Sequence, residues 1–244
     1  MTYPEPIVLA ETTSTKHISG GTLPERSVCG TDQRVFIFPV SWAWPARQQL
    51  GVGSRKEPPL QFCCLSGVSG AHRQFYLSQV TALALHDVLS SYTEGISIKW
   101  PNDIYWKDKK ICGTLIENDL TGIHISRSIS GTGVNLNQER FLSDALIRYH
   151  YARLRATNIT RGRYWNRLWK SDGVLSTSER EPDRVLETRY KEALYRKEGL
   201  HLFRDKDGDF RARIADIEPN GRLILEDENG QTRGYLFKEV EYIL

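Results

Sequence analysis

Three short stretches hold residues whose types and spacing could do chemistry: KWPND (99–103), KDKKICG (107–113) and GTGVNLN (131–137). Lys99 and Asp103 flank a proline that ends a strand ladder, and Asn102-Asp103 supplies turn chemistry. Lys110 opens the next strand three residues before Gly113. A lysine beside a glycine that lets a ligand approach the backbone suits an anion such as a phosphate. Gly131 and Gly133 weaken a strand unless something must come close to it, and Asn135 and Asn137 could hydrogen-bond that something. Each residue also has a plainer reading. Lys99 and Lys110 could be solvated lysines, Asp103 a turn residue satisfying its own backbone, and the asparagines a strand end. Taken together, they describe a glycine-floored nucleotide-phosphate site.

The elements that must position these residues follow from periodicity. Residues 7–10 predict a short strand running into the hydroxyl-rich TTST (12–15). HRQFYLSQVTALALHDVLSSY (72–92) predicts a helix with Leu77, Val80, Ala84, Val88 and Tyr92 on one apolar face. Strands are expected at 96–100, 111–118 and 122–137, the last two joined tightly at 119–122. The last fifty residues read as short strands, LHLF, FRARIADIE, GRLILED and GYLFKEVEYIL, separated by Asp207-Gly208, Asn220-Gly221 and Asn229-Gly230. Such dipeptides tolerate positive φ and signal hairpins, so a small SH3-like barrel is expected there. The fold class is α+β.

Composition narrows the rest. A chain of 244 residues can bury one good-sized domain, or one plus a small module. Four cysteines without CxxC spacing suggest neither a zinc site nor a disulfide framework. No leader pattern or bilayer-length apolar run appears, and a cytoplasmic protein without membrane contact is expected. The net charge of +3 is unevenly placed: residues 16–69 carry six Lys/Arg against three Asp/Glu, and residues 146–181 eight against three. Basicity confined to two blocks gives no nucleic-acid footprint, so no nucleic-acid partner is expected.

TTST (12–15), KWPNDIYWKDKKICGTLIEN (99–118) and GTGVNLN (131–137), with a small C-terminal barrel after them, resemble the biotin–protein ligases. The resemblance covers residues 1–15, about 70–145 and about 185–244. It implies a catalytic domain over 1–195, similar to class II aminoacyl-tRNA synthetases in its mixed sheet, and an SH3-like domain over 196–244. The implied reaction joins biotin to ATP with Mg²⁺, giving biotinyl-5′-AMP. The biotinyl group then passes to one lysine of the biotin carboxyl carrier domain of a carboxylase. The resemblance makes Ser14, Thr15, Lys110 and Gly113 biotin contacts, with Lys110 the catalytic lysine. Lys99, Asp103, Gly131, Gly133 and Asn135 become contacts to the adenylate, and Asp103 the candidate metal ligand. A monomer or homodimer without a DNA-binding helix-turn-helix is expected. The rival readings are a lipoyl- or octanoyl-type protein ligase and a non-catalytic binding module.

Residues 16–69 depart from that family. Its GRGRxGxxW-type loop, which closes over the adenylate, is missing, and Lys16 stands where the family has asparagine. Tryptophan has one codon, TGG, so Trp42-Ala43-Trp44-Pro45 read one base later must give glycine, one of four residues, then glycine. With synonymous codons chosen freely, residues 42–62 can be read as GRGRHGNSWESEAGKNLLFSF and residues 16–23 as NTYLAEL. Residues 146–160, in another frame, can give NPVSLRQITGNKYN, and the chain regains sense near 185–199. Blocks 16–69 and 146–184 therefore read as out-of-frame translation, the plainer reading being a genuinely divergent insertion. The expectation is that they pack badly and that the chain, lacking its clamp, is poorly active.

Overall fold

The computed structural model describes residues 33–38, 61–66, 69–134 and 183–243, the first two stretches as backbone. The strand expected at 7–10, the TTST turn with Ser14 and Thr15, the 42–60 stretch, Asn135 and residues 146–182 lie outside them. The chain falls into two compact units, residues 1–74 with 111–155, and residues 75–110 with 156–244.

In the first unit, β1 (Gln33–Phe38) pairs antiparallel with β2 (Gln61–Ser66), and β2 pairs with β7 (His124–Val134). The short β3 (Ser69–Gly70) also pairs with β7. Strand β6 (Lys109–Thr121) enters this unit at residue 111 and completes a long hairpin with β7. Gly122, at φ 60°, makes the turn between them. The hairpin is tight, as expected, but β6 runs to Thr121 and β7 begins only at His124. Strands β1 and β2 lie within the 16–69 block that departs from the family pattern. A ladder is made by backbone groups; QRVFIF is rich in β-branched and aromatic residues, and QFCCLS, largely apolar and free of Pro and Gly, can pair beside it.

The second unit opens with α1 (Gln74–Ser90, from Phe75 onward), preceded by a 3₁₀ turn over Ala71–Arg73. The helix is shorter than the expected 72–92, and Tyr92 lies past its end. Val80, Ala84 and Val88 are buried as expected and Leu77 is half-buried, yet Ser78, Gln79, Thr81, Ala82, Leu83 and Leu85 are buried too. A helix covered all round is a core helix rather than one lying on a surface.

Strands β4 (Ile96–Lys99) and β5 (Asp103–Trp106) form an antiparallel hairpin in which Ile98 faces Ile104 and Lys99 faces Asp103. Helix α2 (Asp183–Glu192) buries Leu186 and Tyr190, one turn apart. The chain leaving it pairs with β4, since Ile98 N–H donates to the Ala193 carbonyl at 2.8 Å and Tyr195 N–H to the Ile98 carbonyl at 2.8 Å.

Arg189 of α2 reaches Asp87 of α1 at 2.5 Å. Burial raises the Asp87 pKa, but hydrogen bonds from His86 and Arg189 outweigh it and hold the carboxyl below its ordinary range. A carboxyl depressed in the folded state stabilises the fold above its unfolded pKa and loses that contribution as pH falls through the folded one. Urea midpoints measured below about pH 4 should therefore fall more steeply for this chain than for Asp87→Asn.

The C-terminal residues form a five-stranded antiparallel sheet of β8 (His201–Asp205), β9 (Gly208–Ile217), β10 (Leu223–Asp227), β11 (Thr232–Tyr235) and β12 (Glu241–Tyr242), in the order β11-β10-β9-β8-β12. All three expected hairpin dipeptides lie at turns, with Gly208, Gly221 and Gly230 at positive φ. The expected strand GYLFKEVEYIL is broken, because Leu236 N–H donates to a Glu239 carboxylate oxygen at 2.7 Å and Lys238 adopts φ 74°. Gly221 is the most constrained of the turn glycines: at φ 90°, a Cβ there would lie 2.6 Å from the Phe75 ring. Gly221→Ala should lower stability by about 1–3 kcal/mol, read as a fall in Tm, from left-handed strain and overpacking combined.

Candidate functional site

The KWPND turn is fixed from two directions within the second unit. Trp100 is buried, and its Nε1–H donates to the Gly221 carbonyl at 2.9 Å. The Tyr190 hydroxyl donates to the Pro101 carbonyl at 2.5 Å, while the Tyr190 ring meets Phe75 edge-on at 5.6 Å. A turn anchored by both a helix and a sheet loop holds Asp103, the first residue of β5, in a set place.

Against that carboxylate stands Lys110. Eight residues of hairpin, from Asp103 to Lys110, bring the two together, and Lys110 Nζ lies 2.6 Å from Asp103 Oδ2. Lys110 is only 8% exposed, so its ammonium is taken out of bulk water and directed to a carboxylate that is itself partly exposed. Lys99 completes the group: it donates to the Tyr105 hydroxyl at 3.3 Å, and its ammonium lies over the rings of Tyr105 and Tyr242. Burial pushes Lys99 below the usual lysine range, with Lys110 and Arg196 adding to the effect and Asp103 and Glu241 opposing it. Two lysines around one carboxylate leave an excess of positive charge, and such a site suits an anion.

Of the expected site residues, the second unit therefore gathers Lys99, Asp103 and Lys110. In the first unit, the β6–β7 ladder sets Gly113 directly opposite Gly133, and Leu115 opposite Gly131. Facing glycines leave a stretch of strand bare of side chains, as close approach to a backbone requires. Ser14, Thr15 and Asn135 fall outside the described residues. Sequence reasoning missed Tyr105, Tyr190, Trp100 and Tyr242. For the first, the apolar run Ile104, Tyr105 and Trp106 after the turn gave a usable signal; for Tyr242 there was none.

As a magnesium ligand, Asp103 is poorly placed. Its Oδ2 is engaged by Lys110, and among the described residues no three His, Cys, Asp or Glu side chains are grouped as a metal site would need. These residues do not build a metal site of their own.

Residues 64–135 match the Biotin/lipoate A/B protein ligase family. A biotin–[acetyl-CoA-carboxylase] ligase of Paracoccus denitrificans is 39% identical over 70 residues, which is 28% of this chain and 29% of that protein. The match thus spans less than a third of the relative's length. The crystal structure of the Aquifex aeolicus biotin protein ligase superposes with a TM-score of 0.69 at 19% identity, covering 99% of this chain and 100% of that one. The same enzyme in complex with biotin and ATP gives a TM-score of 0.66 at 18% identity, covering 97% and 98%. Residues 64–135 are thus similar to the biotin/lipoate A/B protein ligase family, and the fold of the chain is the mixed α/β fold seen in the biotin protein ligases.

Proposed function

We propose that this chain is built as an ATP-dependent biotin–protein ligase, which forms biotinyl-5′-AMP and passes biotin to a lysine of a carboxylase's biotin carboxyl carrier domain. The observation that carries the reading is the buried Lys110 held on Asp103 at 2.6 Å. Joining a carboxylate to a nucleotide α-phosphate brings two anions together, and negative charge builds on the phosphoryl oxygens. A fixed, desolvated ammonium lowers that barrier more than a solvated one can. Gly113, Gly131 and Gly133 give a backbone surface for biotin and adenylate; Ser14, Thr15 and Asn135 keep their expected roles on biotin and adenylate. Magnesium would arrive with the nucleotide phosphates, with Asp103 a candidate protein ligand among the described residues only if it gave up part of its contact with Lys110. In this reading residues 1–195 form the catalytic domain and residues 196–244 an SH3-like one, in a cytoplasmic monomer or homodimer.

The missing glycine–arginine loop impairs adenylation in the chain as it stands. The test is ATP–pyrophosphate exchange by a chain with residues 42–62 rewritten as GRGRHGNSWESEAGKNLLFSF. Exchange that needs biotin supports the reading. Exchange driven by lipoate or octanoate and not by biotin would replace it with the lipoyl-type ligase, and no exchange with any of them would leave a non-catalytic module.

A further inference from the structure

Lys99 faces Asp103 across the β4–β5 ladder, while Asp103 Oδ2 lies 2.6 Å from Lys110 Nζ. Two ammonium groups thus neighbour one carboxylate, and how firmly Asp103 orients Lys110 depends on where Lys99 is held. Its Nζ lies 4.9 Å from the Tyr242 ring centroid and 5.4 Å from that of Tyr105, whose hydroxyl it also reaches at 3.3 Å. These rings are themselves packed: Tyr105 stacks on Tyr195 at 4.9 Å, Tyr195 on Tyr242 at 6.4 Å, and Phe203 meets Tyr242 at 4.8 Å. Tyr242 is buried, and its hydroxyl has no hydrogen-bond partner among the described residues. What it contributes at this point of the fold is therefore its ring.

We propose that Tyr242 is a positioning residue for Lys110: its ring holds Lys99 off Asp103 and leaves the carboxylate to Lys110. Lys99 then acts as a caged cation, in place of the direct adenylate contact expected for it. Among the described residues, the charged and titratable groups around Lys99 include Asp103, Lys110, Arg196, Glu241, Tyr105 and Tyr242. Asp103 is the carboxylate it faces in the ladder. Burial works against its charge, so the ring faces offset part of that cost. Without the Tyr242 ring, Lys99 swings to Asp103 and competes with Lys110. The proposal rests on Lys110 being the adenylating lysine only for its catalytic consequence, not for its geometry.

The test is trace labelling of the full chain with acetic anhydride, reading Lys110 against the exposed Lys206 and Lys238 by mass spectrometry. Tyr242→Met keeps the core filled without the ring, and it should raise Lys110 labelling about 2- to 30-fold, the range a ring–ammonium contact sets. Adding Lys99→Met removes the competitor and should return Lys110 to its original ratio, a suppression that simple loosening of the sheet would not produce. Tyr242→Phe, which loses only the unpartnered hydroxyl and so keeps the fold even where Tyr242→Met does not, should label like the parent chain. Unchanged labelling in Tyr242→Met, a rise that Lys99→Met does not suppress, or a rise in Tyr242→Phe would each overturn the proposal. In the loop-restored chain, Tyr242→Met should lower kcat for biotin-dependent exchange and leave the KM for biotin in place. If the labelling pattern holds while no variant exchanges, the ligase reading fails and the positioning role stands.

Discussion

Lys110→Met should lower biotin-dependent ATP–pyrophosphate exchange about 10²- to 10³-fold in the loop-restored chain, the usual loss when one preorganised group facing developing charge is removed. Methionine matches the length of the alkyl stem and nearly keeps the buried volume, so the change removes chiefly the ammonium group. Its removal also strands the Asp103 carboxylate, whose oxygen lies 2.6 Å from Lys110 Nζ in the intact site. A carboxylate that has lost its ion-pair partner, beside the place where the ligase reading brings two more anions together, adds repulsion to the lost attraction. Asp103→Asn separates the two effects. It keeps Lys110 charged but loosens its aim, so exchange should fall by less than in Lys110→Met, and Lys110→Met/Asp103→Asn should be better than Lys110→Met alone. Equal exchange in Lys110→Met and the loop-restored parent, with circular dichroism unchanged, would remove Lys110 from the chemistry.

Much of this site was legible because its central pair is local. Asp103 and Lys110 bracket one hairpin, and the proline, turn residues and glycine around them each carry a strong local preference. The three C-terminal hairpins were legible for the same reason, since Asp-Gly and Asn-Gly report a backbone conformation directly. What could not be read was long-range. Trp100 finds its acceptor at Gly221, 121 residues away, and Lys99 finds the ring of Tyr242; no periodicity in either segment encodes those meetings. The all-round burial of α1 was also hidden, because Ser78, Gln79 and Thr81 look like a solvated face until neighbours cover them. GYLFKEVEYIL misled in the opposite way. Its aromatic and β-branched residues favour a strand, but Leu236 and Phe237 are exposed in a turn closed by Glu239. Local propensity yields when a side-chain acceptor can take the backbone N–H that a ladder would otherwise use.

Rewriting residues 42–62 as GRGRHGNSWESEAGKNLLFSF should raise biotin-dependent exchange at least about 10²-fold over the chain as it stands. Trp42 and Trp44 have a single codon, which forces glycine at both places one base on. The family match begins at residue 64 and ends at 135, so both blocks read as out of frame lie almost wholly beyond it. Strand β2 nonetheless pairs with β7 through Gln61–Cys64 against Gly131–Ser128, so the sheet position after the loop is filled in this chain by backbone. That separates fold from function. A ladder accepts many sequences, and the superposition on the Aquifex aeolicus enzyme over 99% of this chain needs no more than that. Closing over an adenylate is different: it takes backbone N–H groups presented by glycines and guanidinium groups presented by arginines, at fixed places, with water excluded. WAWPARQQL offers one arginine and no glycine across residues 42–50. The gain should appear as tighter retention of biotinyl-adenylate together with faster exchange, while Tm moves little because the ladder is already made. Exchange in the present chain equal to that of the rewritten one would show that residues 42–62 are a working sequence in their own frame, and the clamp would then have to be sought elsewhere.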